Sequence, residues 1–159
     1  MATYFRPSRN VELSTLEYLE TNLATDWSDV TLIKAFKKAY AKNINVPIVC
    51  VMLNSIDSVR YELGATTLEN RYLVSVDIFA KSDAQRLDLA DYILDIVREG
   101  WDYKEYQHVS GDNRQIIGTP ASKITVTDFI TNSKIELGEG DVKDRYRHTI
   151  TFTVRRGKL

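Results

Sequence analysis

Two histidines, one cysteine and a row of aspartates are the first places to look for chemistry in this chain. A nucleophilic triad needs a serine or cysteine beside a histidine that a carboxylate orients. His148 falls on the apolar side of an alternating terminal segment, where a packed imidazole is expected, and His108 falls in a stretch without regular patterning. Neither is expected to act as a base. Asp88, Asp91 and Asp95 stand at i, i+3 and i+7, a spacing that could present carboxylates to a hard cation. Their face lies opposite the apolar stripe from Leu87 to Leu94, and Arg86 and Arg98 are near enough to neutralise it, so a solvated helix face is expected. The segment GEGDVKD lacks the alternating oxygen ligands of a calcium loop, and the glycines form no phosphate cradle. The residues therefore point away from an enzyme, with no catalytic residue, no cofactor and no metal.

Two further groups ask for an explanation. The cluster WDYKEY (Trp101, Tyr103, Tyr106) has the rings to stack on bases, but it lacks interleaved arginines and reads better as an aromatic latch at a helix end. The last eighteen residues, VKDRYRHTITFTVRRGKL, alternate. Arg145, Arg147, Thr149, Thr151, Thr153 and Arg155 fall on one side, and Tyr146, His148, Ile150, Phe152 and Val154 on the other.

Composition limits what such a strand can serve. At 159 residues, a single domain (1–159, with 1–9 as a flexible arm) is expected. Lys+Arg total 21 against 22 Asp+Glu, a net charge of −1, so any nucleic-acid contact must come from a local patch. The lone Cys50 sits in the apolar run IVCVML and reads as a buried, reduced thiol of a cytoplasmic protein. The opening MATYFRPSRN has no signal-peptide core, and no stretch approaches the ~20 apolar residues that span a bilayer.

The elements that must position these residues follow from spacing. A helix is expected from Asn10, a good N-cap residue, to about Ala24, burying Leu13, Leu16, Leu19 and Leu23 and exposing Glu12, Glu17 and Glu20. A second helix is expected from Asp29 to about Lys42, with Ile33, Phe36 and Tyr40 inward. PIVCVML (Pro47 to Leu53) reads as a strand covered on both faces. SIDSVRYELG follows as another strand, and a polar loop (Gly64 to Asn70) leads to RYLVSVDIFA, completing a meander. Ser82 and Gln85 form a capping box. The helix they open carries Leu87, Ala90, Ile93, Leu94 and Val97 inward and ends at Gly100. A short strand is expected around Tyr106 to Val109, and KITVTDFI and RHTITFTV form a terminal hairpin. The expected class is α+β: a mostly antiparallel sheet, an N-terminal helix and a second main helix packed on it, and a long C-terminal hairpin. The connection from Thr131 to Asp144 is long for a hairpin. Ile135 and Leu137 lie among its charges, and glycines flanking Glu139 allow a bend. It reads as an arm that docks onto a neighbour, or as a flexible tip.

With RYLVSVDIFAKSDAQRLDLADYILDIVREG, KITVTDF and DVKDRYRHTITFTV in view, the chain resembles tailed-phage neck proteins of the tail terminator and head-to-tail joining type, from about Asn10 onward. The resemblance implies a homo-oligomeric ring, usually a hexamer, that caps the tail tube and docks it to the head connector or stopper. DNA would pass through its lumen, and no membrane is involved. It places the protein in the virion neck, after assembly in the host cytoplasm. Under it, Arg145, Arg147 and Arg155 meet acids of the next subunit or line the channel, and Ile135 and Leu137 form a subunit contact. Other neck rings (stoppers, adaptors, head-completion proteins) share the pattern. Outside the family, a small nucleic-acid-binding α+β module would use the same arginines, but a net charge of −1 speaks against it.

Overall fold

Alternating apolar side chains decide which way the sheet faces its helices. The computed structural model describes residues 6–34, 39, 44–60, 68–107, 115–135 and 146–158. In chain order the elements are α1 (Pro7–Asp26), β1 (Thr31–Ile33), β2 (Ile48–Val59), β3 (Glu69–Phe79), α2 (Asp83–Arg98), β4 (Trp101–Asp102), β5 (Glu105–Tyr106), β6 (Ile116–Gly118), β7 (Ser122–Ile135) and β8 (Arg147–Lys158). Six strands form one sheet in the order β1-β2-β3-β8-β7-β4, while β5 and β6 pair separately. Within the six-stranded sheet, β1 and β2 run parallel and the other pairings are antiparallel. The fold is α+β, with both helices on one face and a long β7–β8 hairpin at the C-terminus.

That face is built from alternation. Tyr72, Val74, Val76 and Ile78 of β3 and Ile150, Phe152 and Val154 of β8 are at most 2% exposed. They meet Val11, Leu16, Leu19 and Leu23 of α1 and Leu89, Ile93 and Val97 of α2. Each such side chain contributes on the order of 1.5–3 kcal/mol by leaving water. One residue out of phase, Ile48 and Phe79 are register partners facing the other way. With Ala39 they form a small second core, against which Ile33, Ile44 and Val46 pack.

Several boundaries differ from the spacing-based expectation. α1 starts at Pro7, so residues 7–9 belong to the helix and not to an arm. Proline has no N–H to leave unsatisfied in a first turn, and Asn10, expected as the cap, is instead buried inside the helix. The expected helix from Asp29 is overturned at its start, where Thr31–Ile33 pairs in parallel with Ile48–Cys50 as β1; Phe36 and Tyr40 lie outside the described residues. PIVCVML and SIDSV are one strand with an irregularity between Leu53 and Ser55, so the meander reduces to the hairpin β2–β3.

In α2, Leu87 is 47% exposed and Leu89 takes its inward place, next to a buried Arg86. Ser82 Oγ accepts from Gln85 N at 3.2 Å, as a capping box requires, but the Gln85 side chain accepts from Lys81 N at 2.8 Å, one residue before the cap. Gly100 closes the helix at φ +71, where an added Cβ would lie 2.8 Å from the Ile124 carbonyl oxygen. The strand expected around Tyr106 is β5, which ends at Tyr106; His108 and Val109 lie outside the described residues. Finally, β7 extends to Ile135, so the first five residues assigned to the long connection are laddered to β8.

Candidate functional site

The face of β3 and β8 turned away from the helices carries the polar residues singled out in the terminal strand. Register places Asp77 opposite Thr149, Ser75 opposite Thr151 and Arg71 opposite Arg155. Arg147 Nη2 donates to Asp77 Oδ1 at 3.0 Å, and Thr149 Oγ1 donates to the same oxygen at 2.5 Å. Both charged side chains of this pair are largely buried, Arg147 at 12% and Asp77 at 7% exposure. The Arg147 guanidinium also lies 5.4 Å from the Phe79 ring centre, a cation–π distance. Farther along, the Ser75 and Thr151 hydroxyls are 3.3 Å apart, and the Asn54 amide donates to Ser75. At the other end Arg155 lies 3.8 Å from Glu69 and is 48% exposed.

The arginines at the two ends of this face therefore meet acids of their own chain. Arg147 is committed to Asp77, which leaves it little capacity for a neighbour or a lumen. Arg155 keeps a guanidinium half in solvent. Arg145 and Leu137 lie outside the described residues. Ile135 is the last residue of β7, partly buried and in register with Arg147, so it belongs to the sheet and not to a connecting arm. Cys50 is in register with Asp77 and fully buried. Burial first, then the Asp77 carboxylate, push its thiol up to about 12, which keeps it protonated and unreactive at neutral pH.

The aromatic cluster WDYKEY is a clasp on α1. Trp101, Tyr103 and Tyr106 are at most 6% exposed, so their faces are not offered to bases. Trp101 stacks on Tyr18 with ring centres 5.3 Å apart. The buried Asn10 donates to Tyr103 Oη at 3.0 Å, and its own carbonyl oxygen accepts from Tyr106 N at 3.3 Å. Glu17 receives Lys104 Nζ at 2.7 Å and the Tyr106 hydroxyl. A cleft of about 210 Å³ runs between α1 and β4, but Glu17 and Lys104, which flank it, already neutralise each other.

His148 is packed, as its place on the apolar side implied, at 5% exposure. It lies between Arg86 of α2 and Asn132 of β7. Asp88, Asp91 and Asp95 are all exposed on α2, and no cluster of metal-ligating residues occurs among the described residues.

The outer edge of β7 is a feature that spacing did not reveal. β4 pairs only with Ile124 and Lys123, and beyond them no strand pairs with this edge among the described residues. Two irregularities interrupt it, around Thr127 and Ile130. Phe129 is 40% and Ile130 60% exposed there. Bulges are a common protection of an edge against indiscriminate pairing, and here two large apolar side chains on that edge stand in solvent.

Asp77 and Glu69 were equally unmarked, and Arg86, expected to neutralise the Asp88, Asp91 and Asp95 face, is instead buried against His148 and Asp83. Asp77 has the one available signal, an acid inside an otherwise apolar and hydroxyl-bearing run, but its partner depends on a register that spans 70 residues. No protein-family model matches this chain, and comparison with curated proteins finds no match either.

Proposed function

We propose that the protein is a structural subunit of a tailed-phage neck, the ring of tail terminator type that caps the tail tube and joins it to the head connector. The observation that carries this reading is the long β7–β8 hairpin with an open outer edge bearing Phe129 and Ile130. A ring of more than two subunits needs two different, complementary surfaces, because a head-to-tail contact joins one patch to another and repeats around the ring when the rotation closes. The sheet has a second sparsely covered edge on its far side. There, among the described residues, β1 pairs with β2 at Ile48–Cys50 alone, and Glu12 takes the Leu53 N–H at 3.0 Å. Further support comes from the phrases in the sequence that resemble that family. Of Arg145, Arg147 and Arg155, the last keeps a half-exposed guanidinium that would meet a neighbour or the lumen in a ring. A nucleic-acid-binding module is the weaker reading, because Arg147 is already neutralised by Asp77.

The test is light scattering and negative-stain imaging of the purified protein, alone and with tail tubes. Rings at tube ends are expected, and a persistent monomer that ignores tubes would overturn the proposal. Ile130→Lys sharpens it. This exposed substitution should change the unfolding free energy of the free protein by no more than about 0.5 kcal/mol, yet prevent ring closure.

A further inference from the structure

The first turns of α2 are fastened to the terminal hairpin by a polar chain, buried at Arg86 and His148, that the ring reading does not use. Arg86 Nη1 lies 2.7 Å from His148 Nδ1, and His148 Nε2 lies 2.6 Å from Asn132 Oδ1. A guanidinium has donors and no acceptor, so Nδ1 must accept from it. The ring then carries its single proton on Nε2 and donates it to the Asn132 carbonyl oxygen. Both nitrogens are satisfied, and only in the neutral imidazole. Asp83 holds the guanidinium from its other side, Arg86 Nε donating to Oδ1 at 2.9 Å. Arg86 is 7% and His148 5% exposed.

We propose that His148 is a proton-sensitive latch, whose protonation sets a second cation against Arg86 and frees the first turns of α2 from the distal end of the β7–β8 hairpin. The change is local, because Leu89, Ile93 and Val97 keep the rest of α2 in the main core. The idea stands without the ring reading.

The surroundings favour this direction. α2 presents Arg86, with Asp83 occupied by it, and an exposed Asp91. β7 presents Asn132 and, in register with His148, Lys134. β3 contributes only Ile78 at that position. Burial, and then the Arg86 guanidinium, hold the His148 pKa below the usual 6.5, while Asp91 pulls weakly the other way. A folded-state value below the unfolded one means that the open form takes up the proton first. The latch is therefore fully closed above about 6.5. Its contribution is lost as pH falls toward the folded-state value, its opening constant growing up to about tenfold per pH unit across that window.

Hydrogen exchange of the full chain at pH 7 and pH 5, corrected for intrinsic rates, reads the latch directly. Protection should fall selectively in residues 83–90, 130–135 and 147–150, and remain in residues 72–78. The His148 titration is followed by NMR, with His108→Gln to assign the signal. Its midpoint should lie below 6.5 and rise in Arg86→Met, which removes the opposing cation. His148→Phe should abolish the selective loss at pH 5. If that variant fails to fold, the Arg86→Met titration decides alone. A wild-type midpoint at or above 6.5, an unchanged midpoint in Arg86→Met, or a loss of protection spread evenly over the core would overturn the proposal.

Discussion

The two faces of the β3–β8 pair share one backbone ladder and are held by different physics. Toward the helices, Val74, Val76, Ile150 and Phe152 are fully buried among leucines, and any apolar side chain of similar volume would serve. On the opposite face Asp77, Arg147 and Thr149 form one connected group, in which each member answers a particular neighbour. The first face is stabilised by area and tolerates substitution by degrees. The second is specific, because removing one charged partner strands another that is only 12% exposed.

Four substitutions put that contrast under strain. The largest effect is expected for Phe152→Ala, which empties the space between the Trp101 and Phe129 rings, now 6.4 Å and 5.9 Å from it. A loss of about 4 kcal/mol should appear in denaturant unfolding. Asp77→Ala should cost about 3 kcal/mol, because the Arg147 guanidinium loses its carboxylate without gaining solvent. Asp77→Leu combined with Arg147→Met should cost clearly less than Asp77→Ala alone, since no charge is then stranded. If the double variant proves as damaging as the sum of its parts, the pair is not the unit described here. Arg155→Ala should change stability by no more than about 0.5 kcal/mol, because its contact with Glu69 is long and half in water. A loss above about 1 kcal/mol would mean that both ends of the face are held alike.

Much of the first face was legible in the sequence. RYLVSVDIF and RHTITFTV alternate cleanly, and alternation alone says which side chains share a side. The leucines of α1 were equally legible, all four lying buried where the 3.6-residue period puts them. Short segments next to proline and charge were not. TLI carries too few residues to show a period, so β1 was hidden inside an apparent helix. Spacing put Leu87 inward in place of Leu89, because Arg86 takes a buried position that apolar patterning reserves for carbon. Its reason is His148, 62 residues away.

Local pattern by itself determined the α+β class, the helix that Ser82 opens and Gly100 closes, and the terminal hairpin with one apolar and one polar face. Those features depend on neighbours a few residues apart: alternation, helical period, capping chemistry and backbone freedom at a positive φ. Only the tertiary structure decided which charges are used up inside the chain. It paired Arg147 with Asp77, Arg86 with His148, and Asn10 with Tyr103, and among the described residues it left the β7 edge beyond Ile124 without a strand. The physical reason is range. A hydrogen bond needs its atoms within about 3 Å, and partners 62 to 93 residues apart meet only after strand register and helix placement are set.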